Sequence, residues 1–248
     1  MTPIPTAILA SGSGSNFVAL AEDARSHPDP AWLPTLLLSD RSEAPVLERA
    51  RKRGIAHRTL DPTDGTALRN LLEEAGIGMV LLAGYLRLVP DAVVSHFRGR
   101  ILNIHPALLP AFGGRGMYGT RVHEAVLAAG VRVTGVTIHL VDERYDEGRI
   151  LAQWPVPVLA GDDAGSVGRR VLAVEHRLYP AVADHVARAL AAGRDPEPLD
   201  LPDPILPGAP LELLEAASGA SHRRRPPDVP SPPDGAPPAE SRDGRPNR

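Results

Sequence analysis

The sequence predicts an α/β domain built on a doubly wound, mostly parallel sheet. Short apolar runs, of which MVLLA at 79–83 is the clearest, alternate along the chain with amphipathic segments of helical length. Runs that are apolar throughout are typical of parallel strands covered by helices on both faces. Glycines close several helical segments, as Gly54 and Gly76 do. Ligands of such sheets bind beyond the carboxyl ends of the strands, so function is expected in the loops there.

Each element is predicted from its own composition and from the turn residues around it. We predict strands at 6–10, 34–40, 56–60, 79–83, 101–104, 133–141 and 150–158, the last interrupted by proline. We predict helices at 17–25, 43–53 and 66–75, from Asp91 onward, at 122–129 and, with a continuous apolar stripe, at 164–192. The loop at 111–119 carries four glycines, which predicts mobility.

The character of the chain changes after Gly193. Residues 194–248 are rich in proline and charge and contain little that could be buried. We therefore predict one folded domain over 1–193 and a largely disordered tail over 194–248. Within that tail, 211–217 is the stretch that could form a short helix.

The overall composition excludes several classes of protein. A hydrophobic content of 43% and a charged content of 23% are ordinary for a globular domain. The net charge of −3 argues against a nucleic-acid partner, and the lack of cysteine excludes disulfides and thiolate metal sites. The sequence contains neither a basic leader nor an apolar run of membrane length. We therefore expect a cytoplasmic protein without a membrane segment.

A glycine-serine turn, SGSGSN at 11–16, joins the first predicted strand to the first helix. Free backbone N–H groups and the positive end of the helix dipole make such a turn an anion site, with short polar side chains as donors and as a cap. A plain strand-to-helix turn is the alternative. A dinucleotide site would need a third glycine where Phe17 stands, although Asp40 follows the second strand where a ribose-binding acid could lie. An oxidoreductase therefore stays open at this point.

The strand ILNIHP at 101–106 ends in an amide and an imidazole two residues apart. Because alternate residues of a strand share a face, Asn103 and His105 should project together. Thr137 and His139 repeat this spacing in the strand at 133–141, just before the acidic turn DERYDEG at 142–148. These residues predict either a reaction site for a polar transition state or a hydrogen-bonded polar pair in the core.

The ordered set of motifs resembles a known family. SGSGSN, LAGYLRLVP, ILNIHPALLPAF, VHEAV, GVTIHLVDERYDEGRILAQ and VEHRLYP follow one another over residues 6–190. Together they resemble the phosphoribosylglycinamide formyltransferases, folate-dependent enzymes of purine synthesis with a Rossmann-like formyltransferase fold. The resemblance implies transfer of a formyl group from 10-formyltetrahydrofolate, as co-substrate, to glycinamide ribonucleotide, without a metal. It gives no indication of the oligomeric state.

The resemblance also implies roles for individual residues. The catalytic group would be Asn103, His105 and Asp146, with Thr137 and His139 in support. The substrate phosphate would be held by Gly14, Ser15 and Asn16, and the rest of that substrate by Glu175 and Pro106. The folate pocket would be formed by Leu86, Arg87, Leu88, Val89, Val141, Asp142 and Asp146.

The chemistry of the predicted catalytic residues fits this transfer. Attack of an amine on a formyl carbon creates an oxyanion, which needs hydrogen-bond donors. The side-chain amide of Asn103 is one donor, and a protonated His105 is another. We expect the carboxylate of Asp146 to favour the charged form of His105 and to relay protons through water.

The sequence departs from the family pattern at two places, and three alternative functions remain open. Gly113 and Gly114 stand where many relatives have a larger or basic residue, and Glu147 and Arg149 alter the end of the acidic turn. A formyltetrahydrofolate deformylase would use a similar site but carry an additional N-terminal domain, and the first strand here begins near residue 6. A nucleotide-cofactor oxidoreductase and a binding module without catalysis are the other two.

Overall fold

The computed structural model describes residues 2–201. The predicted helix at 211–217 and the rest of the chain from 202 onward lie outside the described residues, so a disordered tail stays a prediction. Residues 194–201 contain no helix or strand, but the Leu199 N–H donates to the carbonyl of Leu151. The chain just past the predicted boundary at 193 therefore contacts the domain.

A single seven-stranded sheet forms the centre of the fold, in the order β3-β2-β1-β4-β5-β6-β7. The strands are β1 (Ile4–Leu9), β2 (Trp32–Ser39), β3 (Ala56–Thr59), β4 (Met79–Leu82), β5 (Ile101–His105), β6 (Val133–Leu140) and β7 (Ile150–Pro157). The helices are α1 (Ser15–Ser26), α2 (Pro45–Lys52), α3 (Gly65–Glu74), α4 (Asp91–His96), α5 (Thr120–Ala128) and α6 (Ala164–Ala191). The first five strands are parallel, whereas β6 and β7 run antiparallel to their neighbours. The prediction of a mostly parallel sheet is confirmed.

The strand order reverses beside β1, which pairs with β2 on one side and with β4 on the other. At such a switch point the loops that leave neighbouring strands diverge and open a crevice. The glycine-serine turn leaves β1 at this point, and residues 84–89 leave β4 next to it. The fold therefore brings two of the predicted site segments to one edge of the sheet.

The antiparallel pairing of β5 with β6 aligns the polar residues that the sequence singled out. Asn103 pairs with His139, and His105 pairs with Thr137. Cross-strand partners in an antiparallel pair lie on the same face of the sheet about 4.5–5.5 Å apart. The two predicted polar pairs therefore form a single cluster.

The expectation that proline interrupts the last strand is wrong. β7 runs unbroken from Ile150 to Pro157 and includes Pro155 and Pro157. It is an edge strand of the sheet, and proline is tolerated there because an N–H pointing away from the neighbour has no partner to lose.

The long helix α6 is hydrogen-bonded to two central strands of the sheet. Its first turn has a capping box, in which Asp163 accepts from the Ser166 N–H and the Ser166 hydroxyl accepts from the Asp163 N–H. Tyr179 is fully buried, and its hydroxyl lies 3.1 and 3.0 Å from the carbonyl oxygens of Leu82 and Leu102. The helix is thus tied to both β4 and β5. Among the described residues, no helix combines the length and apolar character needed to cross a bilayer.

Candidate active site

A cavity of about 790 Å³ opens at the carboxyl ends of β1, β4 and β5. Most of the predicted site residues line it, namely Asn16, Leu86, Arg87, Leu88, Val89, Asn103, His105, Pro106, His139, Val141, Asp146 and Glu175. Four others, Gly14, Ser15, Thr137 and Asp142, do not line it. The cavity has the size of a small-molecule site. Within residues 2–201 no cluster of three or more His, Asp or Glu side chains is arranged to hold a metal ion.

Asn103 is fixed with its amide nitrogen toward the centre of the site. Its Nδ2 lies 3.0 Å from Nε2 of His139 and 3.4 Å from Oδ1 of Asp146. Nδ1 of His139 lies 2.8 Å from the Leu140 carbonyl, so that nitrogen carries the hydrogen and Nε2 is left as an acceptor. Both neighbours of Nδ2 are therefore acceptors, which orients Asn103 as a donor.

His105 is almost completely buried, and both of its ring nitrogens face acceptors. Nε2 lies 2.9 Å from the Phe112 carbonyl oxygen, and Nδ1 lies 3.5 Å from Oδ2 of Asp146. Burial lowers the pKa of His105 below its ordinary value, and the nearby carboxylate only partly opposes this effect. Asp146 does favour the charged form of the ring, as expected, but its effect is smaller than that of burial. Desolvation outweighs the ion pair, and His105 is neutral at rest with its hydrogen on Nε2.

Asp146 is held as a carboxylate between the two histidines. Burial by itself would raise its pKa, but the two neighbouring histidine rings and the Gly114 N–H outweigh burial and lower the pKa below its usual value. The Gly114 N–H donates to Oδ2 at 2.8 Å, and the Asp146 backbone has a φ of +58°. An aspartate in this left-handed conformation is uncommon, and backbone strain of this kind concentrates at functional sites.

The loop at 112–114 completes the site in a way that the sequence did not reveal. Phe112 supplies the carbonyl that binds His105, and it shares with Asp146 a positive φ of 58°. A Cβ on Gly113 would lie 2.5 Å from Leu109 Cδ2 and 3.3 Å from Asp146 Cβ. Gly113 is thus favoured by close packing, and Gly114, whose N–H bonds Asp146, is favoured by its φ of +96°. The sequence shows that this loop is rich in glycine, but it does not show that the loop packs against Asp146.

The glycine-serine turn has the conformation of an anion site, but it lacks the expected cap. Gly14 is the N-cap of α1, with a φ of +79°, and no side chain bonds the first turn of the helix. The prediction that a polar side chain caps this helix is therefore wrong. A Cβ on Gly14 would lie 2.4 Å from Val46 Cγ2, so both the conformation and the packing require glycine. The N–H groups of Ser15 and Asn16 are left facing outward from the helix end.

Asn16 and Glu175 meet at the floor of the cavity. Asn16 Nδ2 donates to Glu175 Oε2 at 2.7 Å, and Asn16 Oδ1 has no partner in the described part of the chain. Burial raises the pKa of Glu175, and the bond from Asn16 offsets only part of that shift. A protonated Glu175 can use its O–H to satisfy the Asn16 oxygen, so the pair suits a neutral carboxyl group.

The variant Glu175→Gln tests this ionisation. The unfolded chain ionises near pH 4.5 whereas the folded chain retains its proton to higher pH, so Glu175 favours folding below pH 4.5 and loses that contribution as pH rises through the folded-state pKa. The glutamine side chain of the variant cannot ionise and can meet both polar atoms of Asn16. We expect the unfolding temperature of the variant to exceed that of the wild type by a few degrees at pH 7.5 and to converge with it toward pH 4. Thermal denaturation across pH measures the difference, and a constant difference would contradict the assignment.

The segment 86–89 is tethered to the glycine-serine turn. The Leu86 N–H donates to Ser11 Oγ at 3.0 Å, and the Ser11 N–H donates to the Gly84 carbonyl at 3.0 Å. The loops after β1 and β4 are thereby held side by side. Asp142, predicted among the same pocket residues, instead accepts from the Arg144 N–H at 2.9 Å and shapes the acidic turn.

Thr137 supports the segment that follows His105. Its hydroxyl donates to the Ala107 carbonyl at 2.7 Å and accepts from the Leu109 N–H at 3.0 Å and from Gln153 Nε2 at 3.0 Å. Thr137 is fully buried and does not line the cavity, so its role is to hold the backbone of residues 107–109 in place.

Thr137→Val should lower stability by about 2–4 kcal/mol because it keeps the shape but leaves the buried partners of the hydroxyl unpaired. Thr137→Ser is the matched control and should restore most of that loss. Urea unfolding of the two variants provides the comparison. Equal stability of the Val variant and the wild type would show that the hydroxyl contributes nothing.

His123 is a further cavity residue that sequence reasoning missed. It is buried on α5, its Nδ1 has no partner within the described residues, and burial lowers its pKa. The signal was present in the motif VHEAV, which the resemblance used without assigning a role to the histidine.

Residues 5–183 match the family model described as formyl transferase. This match covers most of the chain, and the chain belongs to the formyl transferase family. Among its relatives are proteins named phosphoribosylglycinamide formyltransferase. The chloroplastic one of Arabidopsis thaliana is 46% identical over 187 residues, which are 71% of this chain and 63% of that protein. The one of Bacillus subtilis is 35% identical over 183 residues, which are 71% of this chain and 91% of the relative.

The similarity extends to solved structures. A glycinamide ribonucleotide transformylase 1 from Symbiobacterium toebii superimposes with a TM-score of 0.69 and 40% identity, over 75% of this chain and 88% of that one. The phosphoribosylglycinamide formyltransferase of Brucella melitensis superimposes with a TM-score of 0.68 and 39% identity, over 75% of this chain and 96% of that one. The matched part spans 63% and 59% of the length of the two plant relatives, from Arabidopsis thaliana and Vigna unguiculata.

Proposed function

We propose that this chain is a phosphoribosylglycinamide formyltransferase, which transfers the formyl group of 10-formyltetrahydrofolate to the amine of glycinamide ribonucleotide in purine biosynthesis. The observation that carries the proposal is the grouping of Asn103, His105 and Asp146 in one cavity that Asn16 of the glycine-serine turn and residues 86–89 also line. Relatives that bear this name, at 35–46% identity, support it.

The phosphate end of the ribonucleotide would lie at the start of α1. Gly14, Ser15 and Asn16 present backbone N–H groups there, and the helix dipole favours an anion. Glu175 lies on the same side of the cavity and would accept a hydrogen bond from the glycinamide portion, beside Pro106. Because Asn16 already binds Glu175, phosphate binding here would rely on the main chain of the turn more than on the Asn16 side chain.

The folate end would lie along residues 86–89 and the start of the acidic turn. Four apolar side chains line the cavity and would provide apolar surface for the folate, namely Leu86, Leu88, Val89 and Val141. Asp142 keeps the turn in shape, and Asp146 links this pocket to the catalytic group. The two substrates would therefore meet at Asn103 and His105.

The reaction forms a bond from the amine nitrogen to the formyl carbon and breaks the bond from that carbon to N10 of the folate. The proton lost by the amine is ultimately gained by N10, so atoms and charges balance. Nδ1 of the neutral His105 and Oδ2 of Asp146 face each other across 3.5 Å. This pair of basic atoms would accept the amine proton and then release it toward the leaving nitrogen.

Stabilisation of the tetrahedral oxyanion would come from Asn103 and from the newly charged His105. Asn103 is already held as a donor, and the hydrogen that faces Oδ1 of Asp146 at 3.4 Å, the longer of its two contacts, would turn to the oxyanion as charge develops. His105 is neutral at rest and gains its charge only when the oxyanion forms. That timing strengthens its interaction with the transition state relative to the ground state.

Two alternatives fit less well. In an oxidoreductase Asp40 would bind a ribose, but here its carboxylate is bound by Arg87, and Phe17 is fully buried where a third glycine would be needed. In a deformylase, water would replace the amine, and the anion-binding turn would then have no substrate phosphate to hold.

The identity of the formyl acceptor tests the proposal. The protein is incubated with 10-formyltetrahydrofolate labelled with carbon-13 in the formyl group, together with glycinamide ribonucleotide, and the products are separated by mass spectrometry. The label should appear in formylglycinamide ribonucleotide. Its appearance in free formate instead would identify a hydrolase.

We further propose that the protein works in the cytoplasm on these two small molecules, without a nucleic-acid or membrane partner. The net charge of −3 and the cysteine-free sequence are compatible with a reducing aqueous compartment.

A further inference from the structure

Asp40 follows β2, and its carboxylate is completely withdrawn from solvent. Its Oδ2 accepts from Nε of Arg87 at 3.0 Å, whereas Oδ1 has no hydrogen-bond partner within the described residues. Burying an incompletely satisfied carboxylate is costly for folding. Asp40 is not part of the proposed catalytic group, so its burial needs an explanation other than catalysis.

Tyr85 directly precedes the segment 86–89 and is buried. The Tyr85 hydroxyl is also buried without a partner in the described chain. Burial raises the pKa of Tyr85, and the charge of Asp40 contributes to the same shift. Through its bond to Arg87, the Asp40 carboxylate connects the end of β2 to the loop that follows β4.

Arg87 connects this buried group to the cavity. Its side chain is 58% exposed and lines the cavity, while Nε is held by the inaccessible carboxylate. With Nε occupied, the two terminal nitrogens of the guanidinium are the donors that can face a ligand. A fork of two N–H donors is the geometry that matches a carboxylate.

We propose that Asp40 is a positioning residue for the co-substrate: by holding Nε of Arg87, it directs the terminal guanidinium nitrogens to the glutamate carboxylates of 10-formyltetrahydrofolate. The inference rests on the proposed function, because that function supplies the ligand. It accounts for a buried carboxylate on the folate side of the cavity, and it makes Arg87 a specificity element for the glutamate moiety.

A binding comparison separates this role from a structural one. Dissociation constants are measured by calorimetry for 10-formyltetrahydrofolate and for 10-formyltetrahydropteroate, which has the same ring system but no glutamate. The variants are Asp40→Ala, Asp40→Asn, Arg87→Met and the double variant Asp40→Ala with Arg87→Met. Glu22→Gln is the control, because it weakens a different ion pair. Glu22 lies on α1, and its carboxylate is 2.7 Å from the guanidinium of Arg53, the residue after α2.

We expect Asp40→Ala to weaken binding of the folate about fivefold and binding of the pteroate by less than about twofold. In the Arg87→Met background, Asp40→Ala should have no further effect on folate binding, because the contact through which it acts is already gone. Asp40→Asn should weaken folate binding to a smaller degree without lowering the unfolding temperature, because it removes a buried charge.

Three results would overturn the inference in distinguishable ways. Equal losses for folate and pteroate would show that Asp40 only supports the fold of the pocket. Independent, additive effects of the two substitutions would show that Asp40 does not act through Arg87. If the wild-type protein binds neither compound, the proposed function fails and the inference fails with it.

Discussion

Asp146→Asn should lower the rate of formyl transfer by about a thousandfold while the protein keeps its fold. Asparagine tolerates the left-handed backbone at φ +58° as well as aspartate does, and its Oδ1 can still accept from the Gly114 N–H. The substitution therefore removes the negative charge beside His105 without adding strain. The proton-accepting pair is lost, since Nδ1 of His105 then faces an amide.

The measurement is the turnover number at saturating levels of both substrates, with thermal denaturation of the same preparation. Glu147→Gln is the matched control: it removes one charge from the adjacent position, which is bound to Arg144 on the surface. We expect the control to turn over at close to the wild-type rate. A fast Asp146→Asn variant would remove Asp146 from the reaction.

His105→Ala should reduce turnover by about a hundredfold to ten-thousandfold, which is the usual contribution of a positioned acid–base group. Alanine leaves the Phe112 carbonyl and the Asp146 carboxylate without the ring that joins them. Binding of glycinamide ribonucleotide should change little, because its phosphate would lie on the glycine-serine turn.

Turnover and the dissociation constant of the ribonucleotide are measured together, so that loss of chemistry is separated from loss of binding. His57→Ala is the control, because His57 is exposed on the edge strand β3 and, within residues 2–201, its ring bonds only the Ile55 carbonyl. Normal transfer in His105→Ala would refute the assigned role.

The fold was predictable because each element carries its own local signal. The apolar runs gave the strands near their observed bounds, and the glycines at Gly54, Gly76 and Gly130 mark helix ends with positive φ. Which strands would be antiparallel was not predictable from local pattern. The chain reaches β6 from β5 through a long loop and α5, and no local pattern in that stretch specifies the reversal.

The site was predictable where residues lie close in sequence and unpredictable where they meet across the fold. Asn103 and His105 share a strand, so their common face followed from periodicity. Asn16 and Glu175 are 159 positions apart, and nothing local to either indicated their hydrogen bond. The same applies to Asp40 and Arg87, which the sequence had suggested for different ligands.

The protonation state of His105 shows a third kind of limit. A neighbouring carboxylate was expected to favour the charged form of the ring, and that carboxylate is present at 3.5 Å. The degree of burial decides the balance, and burial is a property of the assembled cavity rather than of any motif.

The most direct test of the account is the release of tetrahydrofolate from 10-formyltetrahydrofolate by the purified protein, followed with and without glycinamide ribonucleotide. A site that holds the ribonucleotide phosphate and uses its amine as the nucleophile predicts rapid release only when the ribonucleotide is present. Release at the same rate without the ribonucleotide, or no release under either condition, would contradict it.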